Sequence, residues 1–185
     1  MVNLKKELED NQVILLLMPG KEYNEDIVKN LKYFSSSSSV FYVTLNKTYS
    51  ALSELCKKHK VKSDNVVFVD TISKTIKKTP DQSKQVYYVS SPGALTEISL
   101  VVSKFLKHEF DYMIFDSLTN LAIYTKRAPV GKFLSSLIHK IKGTKTKAVF
   151  YAISSGENDE LIKQAEMFVD KVIVLGKNKG GESDD

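Results

Sequence analysis

The chain has 185 residues, 42% of them hydrophobic and 26% charged, which suits one globular domain with a substantial core. No apolar run approaches the roughly 20 residues of a membrane-spanning helix, and the single cysteine, Cys56, excludes an internal disulfide and a CxxC metal pair. The net charge of +5 comes almost wholly from lysine; Arg127 is the only arginine, so the basic balance carries little of the planar, bidentate chemistry that recognises phosphate and guanine.

The opening segment, MVNLKKELEDNQ, is charged and holds no signal-peptide core, so a cytoplasmic protein is expected. The apolar run VILLLM at 13–18 reads as a buried strand, followed by the turn residues of LMPGKEYN. A helix is predicted over 24–34, capped by Asn24, with Glu25 and Asp26 in its first turn where carboxylates suit the helix dipole. The run Ser35–Ser39 is short enough to be a surface turn. Then come a strand at 40–45, a helix at 48–59 and a strand at 66–70. Residues 71–85 are the least patterned internal segment. A strand at 86–90 follows, and Ser91-Pro92 reads as an N-cap with proline at the first position of a helix over 94–108. The remaining elements are a strand at 112–116, a helix at 129–142 ended by Gly143, a strand at 147–153, a helix at 158–168 and a strand at 171–175. Residues 1–176 make one domain in this reading, and 177–185 a disordered tail. Strands that are continuously apolar, alternating with helices, predict a mainly parallel sheet covered on both faces: a three-layer α/β/α domain with right-handed crossovers.

In such a sheet ligands bind beyond the carboxyl ends of the strands. The polar residues placed there are 19–24, Asn46 and Lys47, Asp70, Asp116 and Ser117, and Ser154 and Ser155. Asp116 ends the apolar run Tyr112 to Phe115. A carboxylate there either holds magnesium, directly or through water, or accepts backbone hydrogen bonds at the following turn. The three histidines, His59, His108 and His139, have no metal-ligand spacing, so no metal site is expected from them. Cys56 reads as a packing residue, and the tyrosines of the apolar runs as core. The lysine-rich stretches 73–78 and 139–147 read as solvated faces.

The segments FYVTLNKTYSALSELCKKHKV (41–61), NVVFVDTISKT (65–75), VYYVSSPGALTEIS (86–99) and DYMIFDSLTNLAIY (111–124), with the first and closing strands, carry a resemblance in their order and spacing. The chain resembles the RecA-like P-loop ATPase superfamily, in its KaiC- and RadA-like branch, and in particular small archaeal RecA-like proteins with a degenerate Walker A loop. That resemblance implies a RecA-like domain with three working parts. The first is a phosphate-binding loop of the form GxxxxGK[ST], whose backbone amides, lysine and hydroxyl hold the phosphates and magnesium. Aligned without a gap from the first strand, its first glycine falls on Leu17, its second on Glu22, its lysine on Tyr23 and its hydroxyl on Asn24. Only Pro19-Gly20 match common choices of the family. Glu22, Glu25 and Asp26 surround the helix terminus that a triphosphate would occupy and would repel it. Lys21 is the one substitute cation, two residues ahead of the lysine position.

The second part is the glutamate that orients the attacking water; Asn46 stands at its position and cannot take a proton. The third is the Walker B carboxylate, matched by Asp116. Arg127 is the only candidate arginine finger. The candidate nucleotide-binding set is therefore Pro19, Gly20, Lys21, Glu22, Tyr23, Asn24, Asn46, Asp116 and Ser117, with Asp116 as metal ligand only if magnesium–nucleotide binds and with no catalytic residue assigned. The favoured expectation is a non-catalytic regulatory or protein-interaction module with no cofactor, binding a protein partner or its own copies, by resemblance to side-by-side assemblies of the superfamily. The alternatives are an atypical ATPase that binds magnesium and ATP through Lys21 and Asp116, and a nucleic-acid-binding module motivated by the basic charge.

Overall fold

The computed structural model describes residues 2–154 and 160–176. The tail expected over 177–185, Ser155, the start of the helix expected at 158, and the Arg127 side chain lie outside the described residues. The strands are β1 (Val13–Met18), β2 (Val40–Thr44), β3 (Val66–Asp70), β4 (Gln82–Ser83), β5 (Val86–Tyr88), β6 (Tyr112–Asp116), β7 (Lys147–Ile153) and β8 (Lys171–Val174). The helices are α1 (Leu4–Asp10), α2 (Tyr23–Ser35), α3 (Tyr49–Lys58), α4 (Ser73–Ile76), α5 (Leu95–Leu106), α6 (Leu118–Tyr124), α7 (Arg127–Lys142) and α8 (Glu160–Glu166).

The strands form one sheet in the order β4-β5-β3-β2-β6-β7-β1-β8. All pairs are parallel except β4 with β5. The apolar runs explain this arrangement. Successive side chains of a strand face opposite ways, so a run such as VILLLM must be covered on both sides. Val13 and Leu15 enter one core, with Phe41, Phe115 and Phe150 and the helices α5 to α8. Ile14, Leu16 and Met18 enter the other, with Tyr42, Phe68 and Tyr151 and the helices α1 to α3. Each fully buried large side chain contributes about 1.5–3 kcal/mol of transfer free energy, so these two layers are the main source of stability.

Local differences from the sequence reading have clear causes. Asn24 does not cap α2. The helix begins one residue earlier, at Tyr23, and its N-cap residue Glu22 makes no side-chain capping bond. The start is set instead by burial of the Tyr23 ring, which is 5% exposed. Ser91-Pro92 is not the start of α5 either. The Ala94 amide donates to the Ser91 carbonyl at 3.1 Å, closing a turn, and the helix begins at Leu95. Helix α1 has only two buried apolar residues, Leu4 and Leu8, but Asn3 caps it by accepting from the Lys6 amide at 3.1 Å. The unpatterned segment 71–85 holds α4 and β4. Gly143 ends α7 as expected, its amide bonding back into the last turn.

Candidate functional site

Parallel pairing sets Thr44 of β2 beside Asp116 of β6, and Asp116 beside Tyr151 of β7. Asn46, two residues beyond Thr44, therefore lies over the end of β6. The turn between Thr44 and Lys47 is pinned by the Thr44 hydroxyl, which donates to the Lys47 carbonyl at 2.8 Å and accepts from its amide at 3.1 Å. The other approach comes from β1, on the far side of β7. Between β1 and α2 lie only Pro19 to Glu22, closed into a turn by the Glu22 amide donating to the Pro19 carbonyl at 3.3 Å. This short turn delivers Tyr23, the first residue of α2, beneath the helix and across to β6.

The side chains meet at Asp116, which is fully buried. The Tyr23 phenol donates to its Oδ1 and the Tyr42 phenol to its Oδ2. The Asn46 amide Nδ2 donates to Oδ1 at 3.0 Å. The Lys47 ammonium stands 5.7 Å from the centre of the Tyr23 ring. Burial raises the Asp116 carboxyl above its ordinary range, opposed by the Tyr23 and Tyr42 hydrogen bonds, the Lys47 charge and the Asn46 bond. The phenols of Tyr23, Tyr42 and Tyr151 are all raised, first by burial and next by the Asp116 charge. The Tyr23 and Tyr42 phenols are hydrogen-bond donors to Asp116, the buried Tyr151 hydroxyl has no hydrogen-bond partner among the described residues, and all three stay protonated at neutral pH. The peptide bond between Asp116 and Ser117 is cis.

The structure thus brings together Tyr23, Asn46, Asp116 and Ser117 from the sequence-derived set. Ser117 is buried and caps α6, its hydroxyl accepting from the Asn120 amide at 3.4 Å. Lys21, Glu22 and Asn24 are exposed and take no part in this cluster's hydrogen bonds. Pro19 is half-buried, and its ring lies against Gly176. Gly20 does not adopt a positive φ; among the described glycines only Gly176 does. A Cβ on Gly20 would meet nothing nearer than the Ile153 side chain at 3.6 Å, an ordinary contact. Neither a left-handed backbone nor a close approach therefore requires glycine there. Two members of the cluster escape sequence reasoning. Tyr42 and Tyr151 sit in apolar runs and look like core until the β2–β6–β7 register is known. Asp70 performs the structural role that was one of the two readings of Asp116. Its carboxylate accepts the amides of Tyr49 (2.6 Å), Ile72 and Ser73 (both 2.8 Å) and the Ser73 hydroxyl (2.6 Å).

Among the described residues no group of three or more His, Cys, Asp or Glu is placed to hold a metal ion, and no helix is long and apolar enough to cross a membrane.

With this geometry in view, three solved structures are similar to the chain. A KaiC-like protein from the hyperthermophilic archaeon Pyrococcus horikoshii OT3 superposes with a TM-score of 0.66 at 13% identity, over 91% of this chain and 74% of its own. The flagellar accessory protein FlaH from Methanocaldococcus jannaschii gives 0.60 at 12% identity, over 88% and 70%. An ATPase from the type III secretion system of pathogenic bacteria gives 0.55 at 14% identity, over 90% of this chain but 51% of its own. At these identities the likeness establishes the fold, and that fold is the RecA-like one. No curated protein matches the sequence. A family model described as "Family of unknown function (DUF7090)" matches residues 5–184.

Proposed function

The chain belongs to the DUF7090 family, and we propose that it acts as a non-catalytic regulatory or protein-interaction module built on a RecA-like ATPase fold. One observation carries this reading: the phenol of Tyr23, at the position where the superfamily's resemblance puts the phosphate-binding lysine, is hydrogen-bonded to the buried Asp116 carboxylate. The residue that would neutralise a phosphate is replaced by one that closes off the residue that would hold magnesium. Both oxygens of Asp116 already accept hydrogen bonds, from three side chains. A metal there would have to displace phenols packed in the core, and removing such buried donors leaves groups unsatisfied at about 1–3 kcal/mol each.

The residues present do not fit a magnesium–triphosphate. The 19–22 turn spends the Glu22 amide on Pro19 and keeps Gly20 out of the left-handed conformation that phosphate-binding backbone nests use. Glu22 and Glu25 stand exposed at the α2 terminus, and Asp26 is held partly buried there. The alternative ATPase using Lys21 and Asp116 would need the turn rebuilt and Tyr23 withdrawn. In the proposed role the fold is kept as a scaffold whose outer faces meet a protein partner or further copies of the chain.

Nucleotide titration tests this. Purified protein is expected to show no rise in melting temperature with millimolar ATP and magnesium, because nothing binds the native state. A saturable rise, or metal-dependent ATP hydrolysis that is lost in Asp116→Asn, refutes the proposal.

A further inference from the structure

A groove of about 550 Å³ runs between α5 and α7, on the opposite face of the sheet from the Asp116 cluster. Its apolar lining is Leu95 and Leu100 from α5 and Pro129 and Phe133 from α7, with the small hydroxyl residues Thr96, Ser99 and Ser136 among them. Leu100 is 67% exposed, one of the most exposed large apolar side chains among the described residues. Its rim is cationic. Lys132 and Lys140 lie along it, at helical spacing from Pro129 and Phe133.

Among the described residues, the lysines of this face find little compensating charge. Helix α7 has the sequence RAPVGKFLSSLIHKIK, with no acidic residue. Lys142 turns away to an ion pair with Asp170 at 2.6 Å. Lys140 crosses the groove wall to α5, but its ammonium meets only the hydroxyls of Ser99 (2.9 Å) and Ser103 (3.1 Å). Lys104, one turn beyond Leu100, lies over the Tyr87 ring at 4.8 Å. The one acid of α5, Glu97, is drawn back to the helix start, where it accepts from the amide and hydroxyl of Ser90. Among the described residues no carboxylate pairs with Lys132, Lys140 or Lys104.

We propose that the α5–α7 groove docks an acidic, leucine-bearing amphipathic helix of a protein partner. Two helical walls, an apolar strip of Leu95, Leu100, Pro129 and Phe133 and cations on the rim match such a segment in shape, in its apolar stripe and in its charge. Nucleic acid fits the groove less well. The rim holds lysine and no described arginine, and its most exposed apolar side chain, Leu100, is aliphatic instead of a ring on which bases stack. The groove gives the interaction role proposed above a place and rests on that reading for its meaning. The two still fail separately, since nucleotide binding at Asp116 would refute the earlier reading and leave the groove untouched.

The test is fluorescence anisotropy with a labelled helical peptide carrying leucines at i, i+4 and i+7 and glutamates on both flanks. Saturable binding is expected, weakened about tenfold or more by Lys132→Glu combined with Lys140→Glu, and likewise by Leu100→Asp. Lys58→Glu, on the opposite face of the sheet, is expected to bind as the unaltered protein does. Leu100 is exposed, so Leu100→Asp keeps the test decisive even if the double variant fails to fold. The proposal is overturned by no saturable binding at millimolar protein, or by equal affinity of the folded variants. It is also overturned if a glutamate peptide without leucines, an oligothymidylate or an anionic phosphatidylserine vesicle binds as well and ignores Leu100→Asp.

Discussion

Replacing Tyr23 with phenylalanine isolates the bond on which the proposed function rests. The ring stays in its buried place, and one hydrogen bond to a buried carboxylate is lost. A hydrogen bond to a charged group contributes about 1.5–3 kcal/mol. Asp116 keeps the donors Tyr42 and Asn46 and the nearby Lys47 charge, so the loss should not unfold the protein. For a chain of this size each kcal/mol moves the melting temperature by roughly 2–4 °C, giving a fall of about 3–12 °C at a pH where Asp116 is ionised. The pH dependence has a definite sign. The Tyr23 bond favours the ionised carboxyl, and burial has raised the Asp116 pKa above its ordinary value. The cost of Tyr23→Phe is therefore full above the folded-state pKa and shrinks as pH falls through it. Urea melts of both proteins from pH 8 down to pH 4 would measure this. A loss below about 0.5 kcal/mol at the high-pH plateau, or a loss that grows on acidification, refutes the assignment of Tyr23 as the group that closes Asp116.

Asp116→Asn removes the titration while leaving the shape. Because the folded-state pKa is raised, the native protein holds this proton more tightly than the unfolded chain, and the contribution is fully present at low pH and lost as pH rises through the folded pKa. The stability of the unaltered protein relative to Asp116→Asn should therefore decline as pH rises above the ordinary carboxylate value, read from paired thermal melts. Asp70→Ala should cost about 3–5 kcal/mol in chemical denaturation, since it strands three backbone amides and a buried hydroxyl at once.

The sheet was legible because its strands are apolar on both faces, and four of them, 13–18, 66–70, 112–116 and 147–153, have the bounds read from sequence. Short elements were not. The α1 helix rests on two leucines and a cap, and β4 is a two-residue hairpin partner on the sheet edge, so neither generates a periodic signal. In the site, Asp116, Asn46 and Tyr23 were legible as positions in a resemblance. What Tyr23 does was not, because its partner lies 93 residues away and across β7. Asn24 failed as a cap for a related reason: the helix start is fixed by burial of a ring, and capping propensity is weaker than that.

The strand order also bears on how the chain comes to be folded. Strands β1 and β2 are made early, yet between them in the finished sheet lie β6 and β7, from residues 112–153. Until those arrive, two long apolar strands lack central neighbours and present unpaired backbone edges. The bonds from Tyr23 and Tyr42 to Asp116 cannot form before β6 is in place, with 93 and 74 residues between their ends. Assembly is therefore of high contact order, and slow relative to a helical bundle of equal length. The buried tyrosine cluster closes when the middle of the sheet is filled, so quenching or shielding of these phenols would report that step of folding during synthesis.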